Sequence, residues 1–387
     1  MTKLPSARTV LIAFVGAHIV NDFYATILPA FLPALAEEFE LDYAELGILS
    51  FAFTLLTGVL QPVLGNYADR AGQRRAVVVF GFVAGAGGFV AMAAAPTFWF
   101  IVVVSLLCGL GASTYHPQAT SFIVHAYPED RGRMLGIHGW GGSIGHFLAP
   151  AVVVLAVSVF DWRWSMLGIA VPLVITAFML RATLPEADPN PGASLRGAIS
   201  GQLILVAATF GVISMVGRSF MTFLVKMLVD EGWADTSAGL VLTALLLVGA
   251  VAQPVAGRIF DRVGGRTVFL GAAIGVAAFV TLFAVSDGAL SLVAVGGIAL
   301  FMFALFPVSL ALASRLGGEG QTGAATGVVF GVSGLMTAGV QPVVGAIAEW
   351  AGDLRVALAW MLPMALIAVL LASRIEHGTH RSEPVAS

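Results

Sequence analysis

Gln61-Pro62-Val63-Leu64-Gly65-Asn66-Tyr67-Ala68-Asp69-Arg70-Ala71-Gly72-Gln73-Arg74 returns 192 residues later as Gln253-Pro254-Val255-Ala256-Gly257-Arg258-Ile259-Phe260-Asp261-Arg262-Val263-Gly264-Gly265-Arg266. The Gln, the Pro, the first Gly, the Asp, the Arg beside it, the second Gly and the last Arg keep their places without a gap. At the same offset Gly139, Gly142 and Pro150 map onto Gly331, Gly334 and Pro342, and Phe31-Leu32 maps onto Phe223-Leu224. The chain is therefore two copies of one unit in parallel orientation. In each copy the charged end of the motif separates two long apolar runs.

Those runs dominate the composition. Of 387 residues, 58% are hydrophobic and 11% charged, and mean hydropathy is +0.94. Soluble domains lie near ~45–50% apolar and ~25% charged, and a soluble fold of this composition would expose aggregating patches. The hydropathy excludes disorder, and the 45 glycines follow no collagen period. A polytopic membrane protein remains. The single cysteine, Cys108, excludes an internal disulfide framework and a Cys-rich metal site.

About 20 apolar residues cross ~30 Å of hydrocarbon. Twelve segments qualify: 9–36, 46–68, 76–95, 97–124, 134–160, 164–180, 197–225, 236–257, 267–286, 288–314, 320–348 and 356–373. All but the first and seventh lack Asp, Glu, Lys and Arg. Barrel strands would alternate in ~10-residue pieces, which these solid runs do not. The first run is too long for a signal-peptide core of ~7–15 residues and is interrupted by Asp22, so it is read as the first span.

Basic residues favour the cytoplasmic side. With the N-terminus inside, Lys3, Arg8, Arg70, Arg74, Arg75, Arg131, Arg133, Arg181, Arg196, Arg258, Arg262, Arg266, Arg315, Arg374 and Arg381 fall inside. Arg163, Lys226 and Arg355 fall outside, and Arg218 lies within a span. Both termini are then cytoplasmic in the cell (inner) membrane. The units are a six-helix N-terminal half over 1–184, a Pro-rich cytoplasmic linker over 185–198, a six-helix C-terminal half over 199–374 and a cytoplasmic tail over 375–387. Duplicated halves point to a transporter with its site at their interface near the membrane midplane.

The Gly-x-x-x-Asp-Arg-x-Gly-x-Arg pattern, between spans two and three and again between eight and nine, resembles the major facilitator superfamily. A narrower resemblance, to its fosmidomycin-resistance branch, rests on four further features. These are His18-x-x-Asn21-Asp22 with Leu28-Pro29-x-x-x-Pro33, Gln61-Pro62-Val63-x-Gly65, Tyr115-His116-Pro117-x-Ala119, and Gly141-Gly142-Ser143-x-Gly145 with Pro150. The resemblance implies an all-α fold of twelve transmembrane helices in two pseudo-symmetric halves. It also implies proton-driven export of a small molecule, without naming which. Two departures stand out: Gln73 and Gly265 replace an Arg usual in the motif, and Ser105 stands where many antiporters of the superfamily carry an Arg. Proton coupling through that Arg is excluded.

Physical roles can be assigned to the motif. Gly65 and Gly257 permit close helix packing. Asp69 and Asp261, with Arg70, Gly72, Arg74, Arg262, Gly264 and Arg266, form contacts at helix ends that can break and re-form as the halves rock. The alternative is that the basic loops only set topology. Gln61-Pro62, Gln253-Pro254 and Gln341-Pro342 are read as hinges, Pro bending the helix and Gln satisfying the freed backbone.

Asp22 and Arg218 are the two charged residues inside spans, each costing ~2.5–3.5 kcal/mol at a helix centre. In the superfamily, spans one, four, seven and ten line the central cavity, so the two can face each other across it. Asp22 is the candidate proton site; the alternative is a permanent Asp22–Arg218 ion pair locking the halves. His18 shares a helix face with Asp22 and either relays the proton or holds the carboxylate. Asn21 belongs to the same cluster. His116 either lines the cavity or satisfies backbone kinked by Pro117. His138 and His146 are read as packing or polar contacts with a neighbouring helix. A metal site requires spans one and four to bring His18, Asp22 and His116 together; none is expected, and no cofactor.

The reading is a secondary active transporter exporting a small organic solute, anionic or zwitterionic, against proton entry by alternating access. A uniporter or importer of a small organic acid is the alternative, as is a non-transporting assembly factor of the same fold. No nucleophile–base pair or nucleotide loop suggests an enzyme or ATP use. The expected partners are a small-molecule substrate, protons and the lipid bilayer, with no nucleic acid, and the chain is read as a monomer.

Overall fold

Helices form wherever the apolar runs lie, and Pro, Gly and capping residues decide where they stop. The computed structural model describes residues 6–127, 130–185, 189, 199–317 and 322–376, without the side chains of 69, 124, 125, 131, 132, 322 and 323. Its helices are α1 (Ala7–Ala25), α2 (Leu28–Phe39), α3 (Tyr43–Ala71), α4 (Arg74–Ala93), α5 (Phe98–Ser113), α6 (Tyr115–Ala126), α7 (Arg131–Val159), α8 (Trp162–Thr183), α9 (Gly201–Asp230), α10 (Asp235–Val263), α11 (Gly265–Val285), α12 (Gly288–Leu316), α13 (Thr322–Ala351), α14 (Leu354–Ala359) and α15 (Leu362–Ser373). Together they make twelve stretches long and apolar enough to cross a membrane, and no strand occurs among the described residues. Most of the 185–198 linker and of the 375–387 tail lies outside the described residues.

Three of the spans are broken, which periodicity alone does not reveal. The first runs on to Phe39 and breaks after Ala25, where Pro29 enters the first turn of α2 and withholds a backbone donor. Thr26 covers the break, its Oγ1 donating to the Asp22 carbonyl at 2.6 Å. The fourth breaks at Thr114, ahead of Pro117; Thr114 Oγ1 donates to the Gly111 carbonyl at 2.9 Å. The twelfth is divided between α14 and α15.

The motif loops work as helix stops. An Asp42–Glu45 capping box starts α3, and Gly72 ends it in the left-handed region at φ 67°. Gly264, at φ 80°, turns the chain between α10 and α11. Gly65 packs as expected, since a Cβ there would meet Pro117 Cβ at 2.8 Å. Gly257 does not: a Cβ there would meet nothing within 4 Å. Asp261 is exposed and makes no ion pair among the described residues; the Asp69 side chain is outside the described residues.

The halves meet along α3 with α13 and along α7 with α10. The α3–α13 seam is backbone against backbone. A Cβ on Gly58 would fall 2.7 Å from Gly334 Cα, one on Gly47 would fall 2.6 Å from the Gln341 carbonyl oxygen, and Pro62 covers Gly327 and Gly331. At the acidic end of the molecule, Tyr43 OH donates to Asp230 Oδ2 at 2.9 Å and Tyr43 N–H donates to Glu349 at 3.1 Å. Lys226 pairs with Asp230 and lies 5.4 Å over the Tyr43 ring. Gln341 donates to the Thr337 carbonyl one turn back at 2.9 Å.

Candidate functional site

The breaks in the first and fourth spans fall beside the residues that matter. Asp22 sits in the last turn of α1, and Tyr115-His116 open α6. Glycines of α7 bring a third helix close: a Cβ on Gly141 would approach the Val15 carbonyl at 2.7 Å, one on Gly142 would strike Asp22 Oδ2 and His18 Nε2, and one on Gly145 would strike the Ile19 carbonyl and Phe23 N. Only glycine lets α7 lie this near α1.

Three imidazoles converge on the Asp22 carboxylate. His18 Nε2 is 3.0 Å from Oδ2, His146 Nδ1 is 3.2 Å from Oδ2 and His116 Nε2 is 3.3 Å from Oδ1. Asn21 Nδ2 donates to Oδ1 at 2.9 Å and lies 3.4 Å from His116 Nε2. Asp22 and His18 are buried, at 4% and 3% exposure, while His116 and His146 are partly exposed, His146 lining the cavity.

The surrounding bonds fix where protons reside. His18 Nδ1 lies 2.7 Å from the His138 carbonyl oxygen, which can only accept, so that nitrogen carries a hydrogen. The Tyr115 hydroxyl donates to the Phe14 carbonyl, so His138 Nε2, 3.0 Å away, donates to the Tyr115 oxygen. The His138 ring stacks on His18 at a centroid distance of 4.0 Å. His146 Nδ1 faces the Gly142 carbonyl at 3.0 Å and is likewise a donor. His18 Nε2, by contrast, has no hydrogen bond. It faces the carboxylate as a bare acceptor unless the His18–Asp22 couple holds one more proton.

Across the cavity stands Arg218 of α9, its guanidinium carbon 5.7 Å from the Phe303 ring centroid. Asp22 and Arg218 line one space with Ser143, His146, Gln253 and Phe303, but no ion pair joins them. The permanent Asp22–Arg218 lock is thus not formed; the imidazoles occupy the carboxylate, and the Phe303 ring lies against both Arg218 and His146. Gln253 corrects a second expectation. It turns from its own helix into the cavity and donates to Ser143 Oγ of the other half at 3.3 Å.

His18, Asp22 and His116 offer ligand atoms all within 4.8 Å of one another, which meets the geometric condition for a metal. Charge does not fit. Asp22 and Arg218 already cancel, so a divalent ion would leave two unbalanced positive charges in a site of low dielectric. No metal is assigned.

A family profile described as Major Facilitator Superfamily matches residues 14–215 and 206–386. The chain belongs to the major facilitator superfamily. Two relatives within the superfamily extend over most of it. The uncharacterized MFS-type transporter YfnC of Bacillus subtilis (strain 168) is 25% identical over 381 residues, covering 94% of this chain and 93% of its own. The fosmidomycin resistance protein of Escherichia coli (strain K12) is 26% identical over 293 residues, covering 72% and 71%. A bacterial homolog of the human lysosomal transporter Spinster shares the fold at TM-score 0.75 and 15% identity, over 95% of this chain and 97% of that one. The family is one of transporters of small molecules rather than enzymes.

His138 makes the polar contacts with neighbouring helices that the sequence reading gave it, to His18 and Tyr115, and His146 goes further by facing the Asp22 carboxylate. A signal was available. His138, Gly142 and His146 recur every four residues, placing two imidazoles on one face of α7 around a glycine that admits a neighbour.

Proposed function

We propose that this superfamily member is a secondary active transporter coupling proton movement to a small organic anion or zwitterion. One observation carries the reading: a guanidinium without a carboxylate partner faces a carboxylate held by imidazoles, across the interface of the two halves. A buried guanidinium favours an anionic partner, and the His18–Asp22 couple has a place for one proton. The cavity is about 30 Å³, room for a water but not for an organic solute. Cargo therefore binds when the halves part, which alternating access supplies. Similarity to the fosmidomycin resistance protein of Escherichia coli supports outward transport in the cell membrane. Inward transport of an organic acid is the second reading, favoured by the balance of one negative and one positive fixed charge in the cavity.

Binding of matched ligands tests the anchor. Arg218→Gln is expected to weaken an anionic ligand by about tenfold or more, ~1.4 kcal/mol, with a smaller effect on its neutral analogue. Arg218→Lys should recover part of the loss. Equal losses for both ligands would leave Arg218 a brace between the halves.

The orientation follows the basic bias, with both termini and the 185–198 linker between halves 1–184 and 199–374 cytoplasmic. Single cysteines introduced in a Cys108→Ala background should be labelled from the cytoplasm at 70, 131 and 262, and from outside at 40 and 235. Labelling of position 40 from the cytoplasmic side would reverse the topology.

A further inference from the structure

Asp22 and Arg218 face one cavity from opposite halves and do not pair. The other groups around the carboxylate are His18 on its own helix, Tyr115 and His116 on α6, and His138 and His146 on α7. Tyr115 and His138 are committed to each other and to the Phe14 carbonyl. Cys108 of α5 turns away to Met92. The C-terminal half adds Arg218, together with the uncharged Gln253 and Phe303.

With neutral imidazoles, the fixed charges of the cavity sum to zero. A proton alone makes the cavity +1 and a monoanion alone makes it −1. Both together restore neutrality. Unbalanced charge is costly where water is scarce, so the doubly empty and doubly loaded states are favoured over the two singly loaded ones. We infer that a proton on the His18–Asp22 couple and an anion at Arg218 bind cooperatively, so that a net-anionic cargo travels in the same direction as its proton. This rests on the proposed roles of Asp22 and Arg218 and adds the sign of the coupling. Exchange against a proton is left to a cargo that brings its own cation to Asp22. A zwitterion laying its acid on Arg218 and its ammonium on Asp22 takes the proton's place. Outward transport by proton exchange thus selects zwitterions or cations, and a simple anion is driven inward by an inward proton gradient.

Benzenesulfonate, a permanent anion whose ring suits the Phe303 face, and neutral benzenesulfonamide are suitable probes. Their binding to the full chain in nanodiscs is measured by calorimetry at about pH 6 and about pH 8.5, spanning histidine titration. Benzenesulfonate should bind about 5- to 100-fold more weakly at the higher pH, the usual range of coupling between sites, while benzenesulfonamide stays constant. Asp22→Asn, which removes the negative charge, should bind benzenesulfonate at the higher pH as tightly as the unaltered chain does at the lower one. Arg218→Gln should lose the anion at both. Anion affinity that is flat with pH, or rises with it, overturns the cooperative sign. Absent benzenesulfonate binding, or binding indifferent to Arg218→Gln, overturns instead the anchor on which it rests.

Discussion

Asp22→Asn is expected to reduce transport driven by an imposed pH gradient to the level of protein-free vesicles. The amide keeps the shape of the carboxylate and still hydrogen-bonds to Asn21 and the imidazoles. It carries no charge for His18 Nε2 to balance, so the couple no longer gains a proton when the gradient delivers one. Exchange of bound cargo between the two sides requires no proton and should continue. Asp22→Glu retains an ionisable group, displaced by one methylene, and should keep partial function. Gradient-driven flux of Asp22→Asn equal to the unaltered chain in proteoliposomes would remove Asp22 from the coupling path.

A second large effect is expected from one added methyl group. In Gly145→Ala the new Cβ strikes the Ile19 carbonyl and Phe23 N, both backbone atoms that cannot turn aside. α7 must then move off α1, carrying His138 and His146 with it. Overpacking of this kind costs about 1–3 kcal/mol, and the cluster around Asp22 opens at the same time. Gly136 lies on the same helix and is exposed, and a Cβ there meets nothing within 4 Å, so Gly136→Ala should behave as the unaltered chain. Thermal unfolding in detergent and transport in vesicles, measured on both variants, check the contrast. An unshifted Gly145→Ala transition with full transport would show that the two helices do not need this contact.

Much of the architecture was legible because membranes simplify the code. Twelve long apolar runs and a 192-residue repeat are one-dimensional features, and hydrocarbon leaves the backbone little choice but helix. The breaks at Thr26 and Thr114 were less legible, since Pro29 and Pro117 signal disruption without saying whether a helix bends or stops. Asp22 was found as a charge inside a span, His18 through its four-residue spacing from Asp22, and His116 through the proline after it. The Asp22–Arg218 lock failed for a physical reason. The repeat relates positions in the two halves, but it says nothing of what else competes for a carboxylate, and three imidazoles lie closer. Gln253 was misassigned for a related reason: it shares the Gln-Pro step with Gln341, yet one side chain bonds to its own helix and the other crosses the interface.

The glycine seam between α3 and α13 also bears on where cargo comes from. Gly47, Gly58, Gly334 and Gly345 press backbone to backbone, and Pro62 fills the line over Gly327 and Gly331, so this flank presents lipid with a closed wall rather than a side window. A molecule dissolved in the acyl chains finds no doorway there. While these contacts hold, the cavity cannot be reached from the bilayer through this flank.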